Sequence, residues 1–254
     1  MIIAVLQARS SSRRLPGKVT REIVGKPMLA HQIERVLRSQ RIDKLVVATS
    51  TEAEDAAVER IAVAEGVSCY RGSLDDVLDR FYQAAAPLRP GHVVRLTGDC
   101  PLADWQVIDR VIDFTIAGGY DYASNTIEPT WPDGLDVEVM TFDALAAAWR
   151  EGEGPLNREH VTPFIYRSPG RFRLGNCRNG EDLSGLRWTV DEPADFAFVT
   201  SVYDALHSRN PAFLTADILA YLAANPDVVA LNASIERNEG FRLAMEKLQK
   251  EAKS

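Results

Sequence analysis

Ile2-Ile3-Ala4-Val5-Leu6-Gln7-Ala8-Arg9-Ser10-Ser11-Ser12-Arg13-Arg14-Leu15-Pro16-Gly17-Lys18 begins as an apolar strand and runs into a loop of three arginines, three serines and one lysine. Neither Asp nor Glu occurs before Glu22. Backbone N–H groups, hydroxyls and fixed cations gathered at the end of a buried strand suit a ligand with several negative charges. A phosphate chain fits them better than a single carboxylate. Gly17 lets the backbone turn closely, and Gly25-Lys26-Pro27 starts a helix with Pro27 in its first turn. The stretch is not a Walker loop, because Val19 follows Gly17-Lys18 and Ser12 stands where the first glycine belongs. No Gly-x-Gly-x-x-Gly fingerprint occurs either. An ordinary basic surface loop is the plainer alternative. Its position directly after the first strand, and its lack of acids, argue against that.

Outward from the loop, strand and helix alternate. Strands are predicted at 2–6, 45–48, 68–70 and 93–96, and helices over 27–39, 52–65, 75–86 and 105–116. Gly66, Pro87 and Gly118-Gly119 close three of these helices, and Ser73 is placed to cap the third. Such spacing implies an α/β fold, a mostly parallel sheet flanked by helices. Ligands then bind beyond the carboxyl ends of the strands, at the loops after Leu6, Ala48, Tyr70 and Leu96. After Gly119 the rhythm changes: 120–190 holds strand-like pieces at 120–123, 137–140, 171–174 and 186–189 and two helical pieces. This reads as a small antiparallel extension and a dimer surface. Helices are expected again over 193–206, 215–223 and 234–252, the last ending in Lys247, Lys250 and Lys253, charges suited to a helix C-terminus. The chain 1–254 is thus one domain, with 120–190 as its extension and 207–254 as C-terminal helices.

Composition narrows the function. The 254 residues are 46% hydrophobic and 26% charged, ordinary for a globular protein. A net charge of −7 sets the basic loop against the rest of the chain and argues against nucleic-acid binding. Cys69, Cys100 and Cys177 are widely separated with no Cys-x-x-Cys, so neither a zinc site nor a disulfide framework is expected. The start lacks the apolar stretch of a signal peptide, and no apolar run approaches the ~20 residues of a membrane span. A cytoplasmic protein with no membrane partner is expected.

Two acidic positions carry the next signal. In Val93-Val94-Arg95-Leu96-Thr97-Gly98-Asp99-Cys100-Pro101-Leu102 an apolar strand meets Gly-Asp, which puts the Asp99 carboxylate at the rim beside the basic loop. An aspartate there can bind Mg²⁺ whose other ligands are phosphate oxygens; a turn-forming role is the alternative. Cys100 reads as a buried neighbour of Asp99 rather than a nucleophile. Leu186-Arg187-Trp188-Thr189-Val190-Asp191-Glu192-Pro193 repeats the arrangement, and Asp191 alone also suits a helix cap. Arg71, in Arg71-Gly72-Ser73-Leu74-Asp75-Asp76-Val77-Leu78-Asp79-Arg80, follows the third strand at the same rim. Asp76 and Arg80 suit an i,i+4 ion pair as well as a ligand. Trp131-Pro132-Asp133-Gly134-Leu135-Asp136-Val137-Glu138 places acids and an aromatic beside a turn, and Asn157-Arg158-Glu159-His160-Val161-Thr162-Pro163 offers a cation and an imidazole on a helix.

The pattern Ala8-Arg9-x-x-Ser12-x-Arg14-Leu15-Pro16-Gly17-Lys18, followed by Gly25-Lys26-Pro27-Met28, resembles the nucleotide-binding loop of the sugar cytidylyltransferases that make CMP-activated sialic acids and ketodeoxyoctonate, and most of all the SpsF-like spore-coat polysaccharide branch. The resemblance extends over about residues 2–205. It implies the glycosyltransferase-A type of nucleotide-diphospho-sugar transferase fold and transfer of CMP from CTP to a sugar of the acidic nonulosonic type. By the same resemblance Gln7, Ala8, Arg9, Ser10, Ser12, Arg13, Lys18 and Arg71 contact the nucleotide, and Asp99 and Asp191 hold Mg²⁺. Arg13, Lys18 and Asp99 carry the catalysis. Arg95 and Thr97 are candidates for the base. Asp133, Asp136, Glu138, Arg158 and His160 face the sugar, with Arg158 able to pair with a sugar carboxylate. A homodimer is implied too. A nucleotidyltransferase with another nucleoside triphosphate or acceptor, a glycosyltransferase of the same fold, and a non-catalytic sugar-nucleotide binder remain as alternatives.

Overall fold

The computed structural model describes residues 1–12 and 14–237. β1 (Ile2–Gln7) leads through the basic loop to a two-stranded ribbon, β2 (Glu22–Ile23) and β3 (Lys26–Pro27), and then α1 (Met28–Val36). β4 (Lys44–Ser50), α2 (Ala56–Ala64), β5 (Ser68–Gly72), α3 (Val77–Ala85), β6 (His92–Thr97) and α4 (Trp105–Gly118) keep the alternation. β7 (Tyr122–Ser124), β8 (Glu138–Thr141), α5 (Phe142–Glu151), α6 (Gly154–His160), α7 (Pro163–Tyr166) and β9 (Leu174–Asn176) follow. α8 (Pro193–Leu206), α9 (Thr215–Ala224) and α10 (Pro226–Ala230) end the described helices.

Seven strands form one sheet in the order β5-β4-β1-β6-β8-β7-β9. Among them β8 alone is reversed, antiparallel to both neighbours, so six of the seven point the same way. β1 explains why its sequence is apolar throughout. Ala4 and Leu6 pack into one core with α1, α2, α4, α8 and α9, while Ile3 and Val5 pack into the other with α3, α5 and α7. A strand covered on both faces needs no polar alternation. The mostly parallel α/β fold expected from the sequence is the one observed.

β8 runs backwards, and that direction shapes the site. Its first residue, Glu138, pairs in register with Arg95 near the end of β6, and its last, Thr141, pairs with His92. The acid-rich segment before β8 therefore arrives at the carboxyl rim of the parallel strands. Gly98 is needed at the same rim. A Cβ there would stand 2.8 Å from the Ala8 Cβ and 2.9 Å from the Gln7 carbonyl oxygen, to which the Gly98 N–H donates at 2.7 Å.

The extension departs from expectation in detail. It holds three helices rather than two, and its last strand begins at Leu174 because Arg171 lies in a turn, paired with Glu151 at 2.6 and 2.7 Å. Residues 186–189 are not a strand; a single bridge joins Arg187 to Asp133. Their backbone is occupied by two loops instead: Trp188 N–H donates to Asp133 O at 2.6 Å and Val190 N–H to Asp99 O at 2.8 Å. Asp76, not Ser73, caps α3, accepting from Asp79 N–H at 2.9 Å. The expected helix over 234–252 begins as a turn at 234–237, and its remainder, with Lys247, Lys250 and Lys253, lies outside the described residues.

Gly98→Ala is expected to lower the unfolding free energy by about 1–3 kcal/mol, the usual effect of forcing a methyl group into packed structure. Gly180→Ala, where a Cβ meets nothing within 4 Å, is expected to leave it nearly unchanged. Urea unfolding of the two variants checks the difference.

Candidate functional site

The basic loop is pinned rather than loose. Ala8 N–H donates to Ala48 O at 3.1 Å, Ser10 N–H to Asp55 Oδ1 at 2.6 Å, and Gly17 N–H back to Ser10 O at 3.1 Å. Ser12 Oγ accepts from Leu15 N–H at 3.4 Å. Asp55 is buried, which raises its pKa, but donation from Ser10 and Ser50 outweighs this and holds it below the ordinary carboxylate value. Asp55 is a positioning residue that sequence reasoning missed. Arg9 lies exposed on the loop, and Arg13 lies outside the described residues.

Lys18 leaves this loop on a single 3₁₀ turn, Lys18–Thr20, and its side chain points inward. Nζ donates to Val190 O at 2.7 Å and to Asp191 Oδ1 at 2.9 Å, and lies 3.5 Å from Asp99 Oδ2. Burial pulls the ammonium's pKa down, but Asp99 and Asp191 together push it above the usual lysine value. Asp99 responds in kind: burial pushes it up, Lys18 and nearby donors from Thr97 and Cys100 push it down, and the net direction is down. Cys100 Sγ donates to Asp99 Oδ1 at 3.4 Å, the neighbour's role expected of it. Asp191 Oδ2 also receives Arg14 Nη2 at 3.0 Å and Arg187 Nη2 at 3.4 Å.

Beside this pair opens a cleft of about 510 Å³. Its walls include Arg95, Thr97, Asp133, Asp136, Glu138 and His160. Glu138 is saturated: Arg95 Nη1 pairs with it, Tyr122 OH donates at 2.6 Å and Thr162 Oγ1 at 2.7 Å. Arg187 forks onto Asp195 at 2.8 and 2.9 Å and reaches Asp133 at 3.0 Å. Asp195 in turn accepts from the N–H groups of Asp191 and Glu192, both at 2.9 Å, which fixes Asp191 at the head of α8. Arg237 donates to Asp136 Oδ1 at 2.7 Å. Asp136 is pushed up to about 7 by burial, with Arg237 opposing and Asp133, Asp99 and Glu138 adding to the rise.

The structure thus gathers Lys18, Asp99 and Asp191, and lines one cleft with Arg95, Thr97, Asp133, Asp136, Glu138 and His160. It does not bring in Arg71 or Arg158. Arg71 donates to Ser50 O, to Glu52 O and to Glu59 Oε2 at 3.0, 2.8 and 3.0 Å, because its strand-end position turns it onto α2. Arg158 is taken by Asp76 and by Trp149 O, so α6 offers the cleft His160 but not its arginine. Asp76 consequently pairs with Arg158 rather than Arg80. Arg80 is buried, and among the described residues nothing accepts from its Nε or Nη1. The sequence assigns no role to Arg187, Asp195 or Arg237, and it gives Arg14, a member of the basic-loop pattern, no partner.

Two carboxylates that converge on one ammonium form a hard-oxygen donor set. Mg²⁺ takes one or two carboxylates and completes its shell with water and phosphate oxygens, so Asp99 and Asp191 fit it. No group of three or more His, Cys, Asp or Glu fit to hold a metal by itself occurs among the described residues. No described helix is long and apolar enough to cross a membrane.

A family model described as cytidylyltransferase matches residues 3–210. The spore coat polysaccharide biosynthesis protein SpsF of Bacillus subtilis is 31% identical over 233 residues, covering 89% of this chain and 95% of that protein. A 3-deoxy-manno-octulosonate cytidylyltransferase of Anaeromyxobacter dehalogenans is 36% identical over 181 residues, 65% of this chain and 73% of its own. The solved structure of a cytidylyltransferase from Leptospira borgpetersenii superposes with a TM-score of 0.87 at 30% identity, covering 93% of this chain and 99% of that one.

The Arg187–Asp195 pair sets a pH dependence. Burial raises the Asp195 pKa, but Arg187 and three further donors hold it below 3.8. Its contribution is therefore present above about pH 4 and lost as pH falls through the lower folded value. Asp195→Asn is expected to lose on the order of 3 kcal/mol at neutral pH, as one partner leaves a buried pair. It is also expected to show a flatter fall in stability below pH 4 than the wild type, measured by urea unfolding across pH 3–7.

Proposed function

Because this chain belongs to the cytidylyltransferase family, we propose that it transfers CMP from CTP to a sugar hydroxyl and releases pyrophosphate, in the synthesis of a surface polysaccharide. It is a nucleotidyltransferase by family. The observation that carries the finer reading is Lys18 held between Asp99 and Asp191, directly beside the basic loop and at the mouth of a polar cleft. The acidic-sugar class is supported by the name of the Anaeromyxobacter relative, and the polysaccharide setting by that of SpsF. The setting is the cytoplasm.

In this reading the acceptor oxygen attacks the α-phosphorus of CTP in line, and the bond to the bridging oxygen of the β-phosphate breaks. No covalent intermediate on the protein is needed, so positioning and charge stabilisation carry the rate. Arg9, Ser10, Ser12 and Lys18, with Gln7 and Ala8 at the strand end, form the triphosphate side; Arg13 belongs with them by sequence. Mg²⁺ held by Asp99 and Asp191 would supply charge neutralisation at the α-phosphate and an oriented acceptor oxygen. Lys18 holds both carboxylates in place and favours the ionised form of Asp99, and Arg14 braces Asp191 from outside. Arg80 is assigned to the base: its Nε and Nη1 have no acceptor among the described residues and can donate to the ring acceptors of cytosine, and Gln7 Oε1, which likewise has no donor among them, can accept from an amino group. The extension 120–190 supplies most of the cleft wall, which supports its assignment to the acceptor. Pairing of two copies through that extension completes the reading.

Pyrophosphate release with Mg²⁺, each of the four nucleoside triphosphates and a panel of acidic bacterial sugars tests this. Release with CTP alone is expected, and Asp99→Ala should abolish it. Lys18→Ala should slow turnover by ~10²-fold or more, the scale of losing one preorganised charge-stabilising donor. Arg80→Met should raise the KM for CTP and leave the KM for the sugar unchanged. Release with a different triphosphate overturns the cytosine assignment, and unchanged turnover in Lys18→Ala removes that lysine from the chemistry.

A further inference from the structure

The family match ends at residue 210, yet the chain that follows returns to the cleft. Asn232 is buried among the site's supports, and its Nδ2 donates to Arg187 O at 3.0 Å and to Asp195 Oδ1 at 2.9 Å. Glu236 lines the cleft, and its carbonyl lies 3.4 Å from Arg187 Nη1. Arg237 then reaches across: Nη1 donates to Trp131 O at 2.9 Å, Nη2 to Asp136 Oδ1 at 2.7 Å, and Nε stands 3.9 Å from Asp133 Oδ1. One guanidinium thus touches the turn 131–136 at both ends and faces both of its carboxylates.

We propose that Arg237 is a positioning residue for the acceptor, and that the segment 232–237 is a built wall of the cleft rather than a trailing end. The inference rests on the reading of this cleft as the acceptor site. Asp133 is buried and Asp136 half-buried, and they flank a sharp turn. Gly134 at φ 110° lets that turn pack against Trp188, where a Cβ would stand 2.6 Å from the backbone. Two carboxylates so placed repel each other and favour taking up a proton. Asp133 has Arg187 as a partner; the ion-pair partner of Asp136 is Arg237. A carboxylate fixed in direction and biased toward its charged form accepts hydrogen bonds from the hydroxyls of a sugar better than a protonated or swinging one does. The bond to Trp131 O fixes the turn itself, so the cation opposes protonation of Asp136 and fixes its direction. Arg237 acts through Asp136 and need not touch the sugar.

The test uses the full chain and compares wild type, Arg237→Ala and Arg237→Lys in two readouts. In steady-state pyrophosphate release with CTP and the sugar identified by the panel, or 3-deoxy-manno-octulosonate as first probe, Arg237→Ala should raise the KM for the sugar about tenfold or more. The KM for CTP should stay within about twofold, and Arg237→Lys should recover part of the loss. Independently, ¹³C NMR of labelled aspartates, with Asp136 assigned through Asp136→Asn, should show its titration midpoint rising by about one unit or more in Arg237→Ala. The lysine variant should again move it back. Equal losses for CTP and sugar, or an unmoved midpoint, overturn the proposal. A moved midpoint in a protein that transfers CMP to no sugar keeps Arg237 as the residue that positions Asp136 and overturns the reading of the cleft.

Discussion

The Lys18 ammonium sits between the carboxylates of Asp99 and Asp191, and the three belong to the basic loop, the β6 loop and the entry to α8, parts of the chain far apart in sequence. Two partly buried carboxylates facing one another without a cation would each favour a proton over the charge that a metal and a phosphate chain require. With Lys18 in place the direction reverses: Asp99 titrates below its ordinary value and Lys18 above its own. The same contact registers α8 against the sheet, since Lys18 also donates to Val190 O. A single buried contact therefore joins a requirement of folding to a requirement of chemistry.

Around that contact the protein matches charges in pairs. Glu138 with Arg95, Asp133 with Arg187, Asp136 with Arg237 and Asp191 with Arg14 line or brace one cleft. Buried pairs of this kind stabilise weakly on balance, because desolvation offsets much of the attraction. Their value lies in geometry. Each carboxylate is held in place and aimed by its cation, which is what a reaction driven by positioning needs. The reversal of β8 makes this possible, since only a strand entering from the rim delivers Asp133, Asp136 and Glu138 to the carboxyl ends of β1 and β6.

What the sequence disclosed and what it concealed divide along physical lines. The continuous apolar run of β1, the alternation through 116 and the boundaries of α8 follow from local pattern, and they are observed nearly where expected. The basic loop and Asp99 were legible because strand ends at one rim must meet, and Asp191 through the family resemblance of its segment. Arg71 was placed at that rim by its position after a strand and Arg158 in the sugar site by resemblance, but a long guanidinium goes to whichever carboxylate lies nearest in space, here Glu59 and Asp76. Residues 186–189 carry a strand's composition, yet their hydrogen bonds go to Asp133 and Asp99, a pairing no local window contains. Arg187 and Arg237 were silent for the same reason, since their partners Asp133 and Asp136 lie 54 and 101 residues away. The meaning of a buried ion pair resides in its partner.

The central claim is that Lys18 assembles Asp99 and Asp191 into one site for a metal-bound triphosphate. Anomalous diffraction from crystals grown with Mn²⁺ and a non-hydrolysable CTP analogue addresses it directly. The account predicts a manganese peak held by both Asp99 and Asp191, with the triphosphate against the loop 9–18. Manganese bound away from these two carboxylates, or a nucleotide that leaves the basic loop untouched, would contradict it.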